Sequence, residues 1–335
     1  MKKFIAMALV AVFSLPIFAD EINVYSARKE ALIKPALDSF TQATGIKVKL
    51  ITGNADALIS RMKSEGQFSP ADVLITTDVG RLERAKLLGL TQAYDSELAN
   101  SVVPAHLRDE NNQWLALTLR ARPIMYAADR VNPSELSTMM NLTDSKWKSR
   151  ICIRSSNNIY NQSMTAAMLA IYPKSDVEEW ARGMVANFAR PPKGGDRDQI
   201  KAVAAGQCDL AIANTYYLAG MLDSQDAEQV KAAEKVKVFW PDQQASGTHI
   251  NISGAAIAKH AKNVNNANAL IEFMLTQKSQ QWYAQVNHEY PVRDGVELSQ
   301  TLTEMGQFKK QKVKLSDVGA NNDEALKLMD KAGWR

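Results

Sequence analysis

Cysteine and histidine are scarce in this chain. Its 335 residues hold two cysteines, Cys152 and Cys208, and four scattered histidines, His106, His249, His260 and His288. One disulfide is therefore the most the chain can form. Other absences narrow the function. There is no low-complexity tract, no internal repeat with a period of 20–50 residues, and no Gly/Ser linker, so any domains must meet through short, structured connections. GxSxG, HExxH and GxGxxG do not occur, and "GGDRD" at 194–198 is a Gly-Gly turn before a helix without the spacing of a phosphate-binding loop. Charge of one sign is lacking too. Forty Lys and Arg face 36 Asp and Glu, a net of +4 with no basic block. Nucleic acid and membrane surfaces are not the expected partners.

The first nineteen residues carry a different message. Lys2 and Lys3 precede an apolar run from Phe4 to Leu15, and Pro16-Ile17-Phe18-Ala19 ends on a small residue. This is the plan of a secretory signal peptide over residues 1–19. The run is shorter than the roughly 20 residues a membrane span needs. Cleavage before Asp20 would leave about 315 residues at net charge +2, too long for one ordinary core and suited to two domains.

From Glu21 onward strands and helices alternate. "EINVYS", "IKVKLIT" and "ADVLITTD" read as strands, separated by a helix that starts near Pro35 and ends at Gly45, and by "ADALISRMKSE" between Asn54 and Gly66. The βαβαβ order predicts a largely parallel sheet, with ligands bound beyond the carboxyl ends of its strands. That places Ser26 to Glu30 at a site. "WLALTLRARPIMYAAD", with Pro123 in its middle, reads as a first crossing to a second α/β unit, and "THINISGAAIAK" as the return. The expected architecture is α/β: an N-lobe of 20–121 plus about 247–296, a C-lobe of 122–246 plus about 297–335, and two hinge strands forming a clamshell.

The chemistry gathers on tyrosines. Tyr216-Tyr217 follows the strand "CDLAIAN" and opens a helix for which Asn214 is the expected cap. "RSSNNIYNQSM" repeats this pattern with Tyr160. Packing as core and rim would account for any one of them. Three phenols at helix starts, where the partial positive charge favours anions, suggest more. As phenolates they are hard oxygen donors, and three would neutralise one trivalent cation; Fe(III) is the abundant ion of that kind. Zinc fits poorly and calcium calls for a carboxylate cage. Tyr25, inside the first strand, reads as packing or as support for a neighbouring ligand and not as a ligand itself, and His249 and His288 as structural.

Several stretches together ("VYSAR", "SPADVLITTD", "LTLRARPIMY", "RSSNNIYNQS", "GGDRDQIKAVAAGQCDLAIANTYY", "SGTHINISG" and "NHEYPV") resemble the periplasmic ferric-ion-binding proteins, the soluble receptors of bacterial iron ABC importers. The resemblance runs over essentially the whole mature chain. It implies a type II, transferrin-lobe-like binding-protein fold, Tyr160, Tyr216 and Tyr217 as ligands of Fe(III), and an inner-membrane ABC permease as partner. It further implies a monomer in the periplasm of a Gram-negative bacterium that catalyses no reaction. Some members add a histidine, or a histidine plus a tyrosine or glutamate, from the loop after the first strand. Here that loop reads Arg28-Lys29-Glu30, so a small anion, carbonate being the usual one, or water is expected to complete the coordination. Arg28, with its planar fork, is the first candidate to hold the anion, and Arg120 and Arg122 the next.

Two rival readings stay open on the sequence alone. One is the same clamshell holding a phosphonate or thiamine; the other is a periplasmic enzyme using a tyrosine as acid or base. Cys152 and Cys208 each fall in an expected strand of the second lobe. A disulfide and two buried thiols would look alike in sequence, and an exported chain favours expecting the bond.

Overall fold

The structure, a computed structural model, describes residues 20–335; the expected signal peptide at 1–19 lies outside the described residues. The chain begins with β1 (Glu21–Ser26), α1 (Lys34–Thr44), β2 (Lys47–Thr52), α2 (Ala55–Glu65), β3 (Val73–Thr77), α3 (Val79–Leu87), β4 (Thr91–Gln92), α4 (Glu97–Val102) and β5 (Leu115–Ala121). Local chemistry sets these boundaries. Pro35 sits in the first turn of α1, and Gly45 ends the helix at φ 77°, where a side chain would be strained. Asn54 caps α2, its Oδ1 accepting from the amides of Asp56 at 2.9 Å and Ala57 at 3.3 Å.

Next come β6 (Ile124–Ala127), β7 (Ile151–Cys152), α5 (Ile159–Leu169), α6 (Lys174–Asn187), α7 (Asp196–Ala204), β8 (Leu210–Ile212), α8 (Thr215–Leu222), α9 (Ala227–Glu234) and β9 (Val236–Phe239). The last part holds β10 (Ile250–Ala258), α10 (Val264–Met274), α11 (Gln277–Val286), β11 (Tyr290–Pro291), α12 (Gln300–Glu304), α13 (Leu315–Ala320) and α14 (Asn322–Lys331).

Two sheets organise these elements. The larger runs β11-β5-β10-β3-β1-β2, with β4 also on β10; the smaller runs β7-β8-β6-β9. In the larger sheet β2, β1 and β3 are parallel, so Ser26 and Thr77 end on the same edge. β7 and β8 are the parallel pair of the smaller sheet, and α5 and α8 follow their ends. β2 lies at an edge and exposes Lys47 and Lys49, charges that discourage pairing with another chain.

The crossing between sheets is abrupt. β5 belongs to the larger sheet and β6 to the smaller, with Arg122 and Pro123 between them. Proline lacks the N–H that a continuous ladder would need. The Arg122 amide instead donates to the His249 carbonyl at 3.0 Å, so the return strand β10 begins beside the outgoing one. A third segment is fastened there: the Thr248 amide donates to Lys309 O at 2.9 Å. Gly247, at φ 89°, lets that strap close in; a Cβ there would stand 2.7 Å from the Lys309 oxygen.

Each sheet has its own core. Ile22, Val24, Val73, Ile75, Trp114, Leu117 and Ile252 fill the larger one. Trp147, Trp180, Trp334, Met164, Met168 and Ile212 fill the smaller. Trp334 packs against Trp180 and Phe188 at centroid distances of 5.7 and 5.2 Å, contacts worth about 1 kcal/mol each beyond area burial. Its Nε1 donates to the Arg154 carbonyl at 2.9 Å, tying the chain end beneath the start of α5. Cys152 and Cys208 are disulfide-bonded, with Cα atoms 5.9 Å apart, and join β7 to the approach of β8.

The lobes also touch through a buried polar contact. Asp78, after β3, accepts from Ser163 Oγ of α5 at 2.5 Å, from Asn251 Nδ2 at 2.9 Å and from the Gly80 amide at 2.9 Å. Helix α13 lies between α3 and α5 and touches both. Ser163 is three residues past Tyr160, so the base of α5 is positioned by the opposite lobe.

Candidate functional site

The cleft between the two sheets is a cavity of about 490 Å³. Tyr160, Tyr216 and Tyr217 line it from one side, Arg28, Lys29 and Glu289 from the other. Tyr160 is the second residue of α5; Tyr216 and Tyr217 are the second and third of α8. Each therefore stands in the first turn of a helix, where unpaired amides favour negative charge. Tyr216 Oη donates to Tyr160 Oη at 3.3 Å. The rings of Tyr216 and Tyr217 are stacked obliquely, with centroids 4.3 Å apart. Residues distant in sequence thus bring three phenols together. Among the described residues no cluster of three His, Cys, Asp or Glu side chains could hold a metal, so the phenols are the concentrated hard donors.

Guanidinium groups surround them. The Arg120 Cζ lies 5.8 Å from the Tyr160 ring centre and 5.7 Å from that of Tyr216. Arg122 and Arg154 stand 5.9 and 5.7 Å from the Tyr160 ring, and Arg197 6.0 Å from that of Tyr217. Their partners separate their roles. Arg122 is held in a buried knot, donating to Asp196 at 2.9 Å, Asn214 at 3.0 Å and Asn161 at 2.6 Å, with its Nε alone left without a partner among the described residues. Arg154 pairs with the other oxygen of Asp196 at 2.7 Å. Arg28 donates to Glu289 at 3.0 Å and to Ser253 Oγ at 2.6 Å. Arg120 donates one bond to the same Ser253 Oγ, at 2.6 Å; its Nε and Nη1, both buried, have no partner among the described residues. Nε of Arg28, Arg122 and Arg154 also lacks a partner among the described residues, but Arg120 leaves two buried nitrogens free beside the phenols.

The titration behaviour follows from this setting. Burial, with the neighbouring Tyr160 and Tyr217 phenols, pushes Tyr216 well above the ordinary phenol value of 10, and Arg120 offsets only part of this. Tyr217 is pushed up in the same way, by burial first and then by Tyr160 and Asp196. Both hold their protons at neutral pH until a cation replaces them. Burial alone would raise Glu289, but Arg28 and Arg120, with bonds from Thr118 and Arg28, hold it below the usual carboxylate value. A charged Glu289 thus pairs with Arg28 and faces Arg120 beneath the cleft.

As expected from the sequence, the three tyrosines come together on one wall. Arg28 and Arg120 come together as well, on a shared serine, whereas Arg122 lies behind Tyr160 in its own network. One local expectation is corrected: Asn214 makes no side-chain cap on α8, because its Oδ1 is taken by Arg122. Tyr25 donates to Glu65 at 3.0 Å within the first lobe. Sequence reasoning passed over Glu289, Asp196, Arg154 and Arg197. Glu289 stands in "NHEYPV" and Asp196 in "GGDRD", stretches read as landmark and turn. Neither shows by spacing that it pairs an arginine 261 or 74 residues away.

A family model described as bacterial extracellular solute-binding protein matches residues 36–310. Iron uptake protein A1 of Synechocystis is 45% identical over 94% of this chain and 88% of its own length. A Trichodesmium protein solved in complex with iron and citrate ligands is 47% identical, covers 94% of this chain and all of its own, and superposes with a TM-score of 0.91. The ferric binding protein from Campylobacter jejuni is 37% identical with the same coverage and a TM-score of 0.90.

Proposed function

The chain belongs to the bacterial extracellular solute-binding proteins, and on that premise we propose how it works as a receptor for ferric iron. It binds Fe(III) and serves an iron-uptake ABC system. Its site of work is the periplasm, which it reaches by the N-terminal signal, and it hands its cargo to an inner-membrane permease as a monomer without catalysing a reaction. Among the described residues no helix is long and apolar enough to cross a membrane.

The observation that carries the assignment is the convergence of Tyr160, Tyr216 and Tyr217 at the starts of two helices inside an arginine-rimmed cleft. In the proposed site all three bind the ion as phenolates, and their three charges neutralise it. The helix N-termini and the surrounding guanidiniums reduce the repulsion among them. A small anion fills the remaining positions, carbonate or a carboxylate such as citrate. Arg120 is its principal holder, because it has unpaired N–H groups beside the phenols; Arg28, shared with Glu289, is the second. Arg122 acts by orienting Asn214 and Asn161, which stand at the two helix starts.

The lobes are proposed to divide at 121/122 and near 246/247 and 296/297, with α13 as the piece that meets both. They close over the ion by bending at Arg122–Pro123 and at the start of β10. Visible absorption tests the whole reading. Purified protein given ferric citrate and bicarbonate should turn red by phenolate-to-iron charge transfer, and Tyr216→Phe should lose most of the band. A colourless protein that still binds a small organic ligand would replace the assignment.

A further inference from the structure

A second, much smaller cavity lies outside the cleft, beside the C-terminal half of α5. Its volume is about 20 Å³, room for one water or one ion. Met164 and Met168 reach it from α5, one turn apart on the same face, and Met139, Asp242 and His249 close other sides. All five are buried, and Met139, Asp242 and His249 keep between 5 and 7% exposure.

The polar groups here are unusual for a core. His249 Nδ1 donates to Gln311 Oε1 at 3.2 Å, which leaves the lone pair on Nε2. Burial, helped by Arg122 and opposed by the Gln311 bond, pushes this imidazole down to about 4, so it is neutral in ordinary conditions. Asp242 Oδ2 accepts from the Met139 amide at 3.2 Å, but its Oδ1 is buried with no partner among the described residues. An apolar cavity would need neither a bare carboxylate oxygen nor a neutral imidazole. Three thioethers could be ordinary packing; joined to those two groups around one ion-sized hole, they form a donor set.

We propose that this cavity binds a soft monovalent cation, Cu(I) or Ag(I), through the thioethers of Met139, Met164 and Met168 and Nε2 of His249. Thioether and imidazole donors favour such ions. Asp242 supplies the single negative charge that balances a single positive one. A trivalent ion is disfavoured, because neutral sulfurs cannot offset its charge. The bound ion would join α5, which carries Tyr160, to His249 at the first residue before β10.

Silver is the probe, added as nitrate to the iron-free protein in chloride-free, non-reducing buffer, with methionine methyl and histidine ring resonances followed by NMR. One equivalent should shift the methyls of Met139, Met164 and Met168 together with the His249 ring. The same shifts should appear in Tyr216→Phe/Tyr217→Phe, whose cleft is disabled. Met164→Leu/Met168→Leu nearly conserves volume, and should weaken silver binding by more than about tenfold while Fe(III) uptake persists. No saturable equivalent, shifts confined to the cleft, or an unchanged affinity in the leucine pair would overturn the proposal. Should the leucine pair fail to fold, the wild-type methyl shifts decide alone: present they support the site, absent they refute it.

Discussion

Loading iron into this site should expel protons, and the number can be worked from the structure. Tyr216 and Tyr217 are both driven above the ordinary phenol value of 10, chiefly by burial and by the nearby phenols. Across pH 6 to 8 they are therefore neutral in the empty cleft. Binding as phenolates requires that at least these two protons leave. Each released proton makes affinity rise with pH by about 1.4 kcal/mol per unit, so two give about 2.7 kcal/mol, or roughly a hundredfold per pH unit. Acidification from pH 8 to 6 should weaken iron binding by at least about four orders of magnitude. The assay is competition against a chelator of known proton stoichiometry at several pH values and fixed ionic strength, checked by direct measurement of protons released. A corrected slope below one proton would refute the reasoning. It would mean that the arginines, with Arg120 at 5.7 Å, have already ionised the phenols, or that the phenols are not ligands. Ultraviolet absorbance of tyrosinate in the empty protein separates those two causes. The same shifts affect folding with a definite sign. Raised phenols stabilise the neutral, folded form below pH 10, and that contribution is lost as pH climbs through the folded value. The iron-free protein should therefore lose stability above about pH 10, while the loaded protein, its phenols held by metal, should not.

Other outcomes are expected from single changes. Tyr160→Phe, Tyr216→Phe and Tyr217→Phe each keep the ring and remove one donor; each should weaken iron binding by more than about a hundredfold with the unfolding midpoint little moved, and near-normal affinity in two of the three would discard the phenolate site. Arg120→Met should abolish most of the affinity gained from bicarbonate, by about 1.5–3 kcal/mol for a charge-assisted contact, and Arg28→Lys should cost less because Glu289 already occupies that guanidinium; isothermal titration with and without bicarbonate checks the order. Cys152→Ala/Cys208→Ala opens a loop spanning 56 residues and should destabilise the protein by about 4 kcal/mol in denaturant titration, with iron affinity largely kept; an unchanged midpoint would contradict it.

Much of the molecule could be read before folding it, and the readable parts share a cause. Strand and helix periodicity, the Pro35 start and Gly45 end of α1, and the Asn54 cap of α2 depend on neighbours within a few residues, so they are written locally. The βαβ order, by itself, put Arg28 at a strand's carboxyl end, and the pattern of a phenol after a strand marked Tyr160 and Tyr216-Tyr217. Partners across the fold were beyond that reach. Nothing near Asn214 announces that Arg122 will take its side chain from the helix it was expected to cap. Nothing near Arg28 announces Glu289, which arrives from 261 residues away. Periodicity says which face of an element is buried, not which buried charge it will meet. Only the closed packing of two sheets decided that Arg28 would be neutralised, that Arg122 would become scaffolding, and that Arg120 would keep free donors beside the tyrosines.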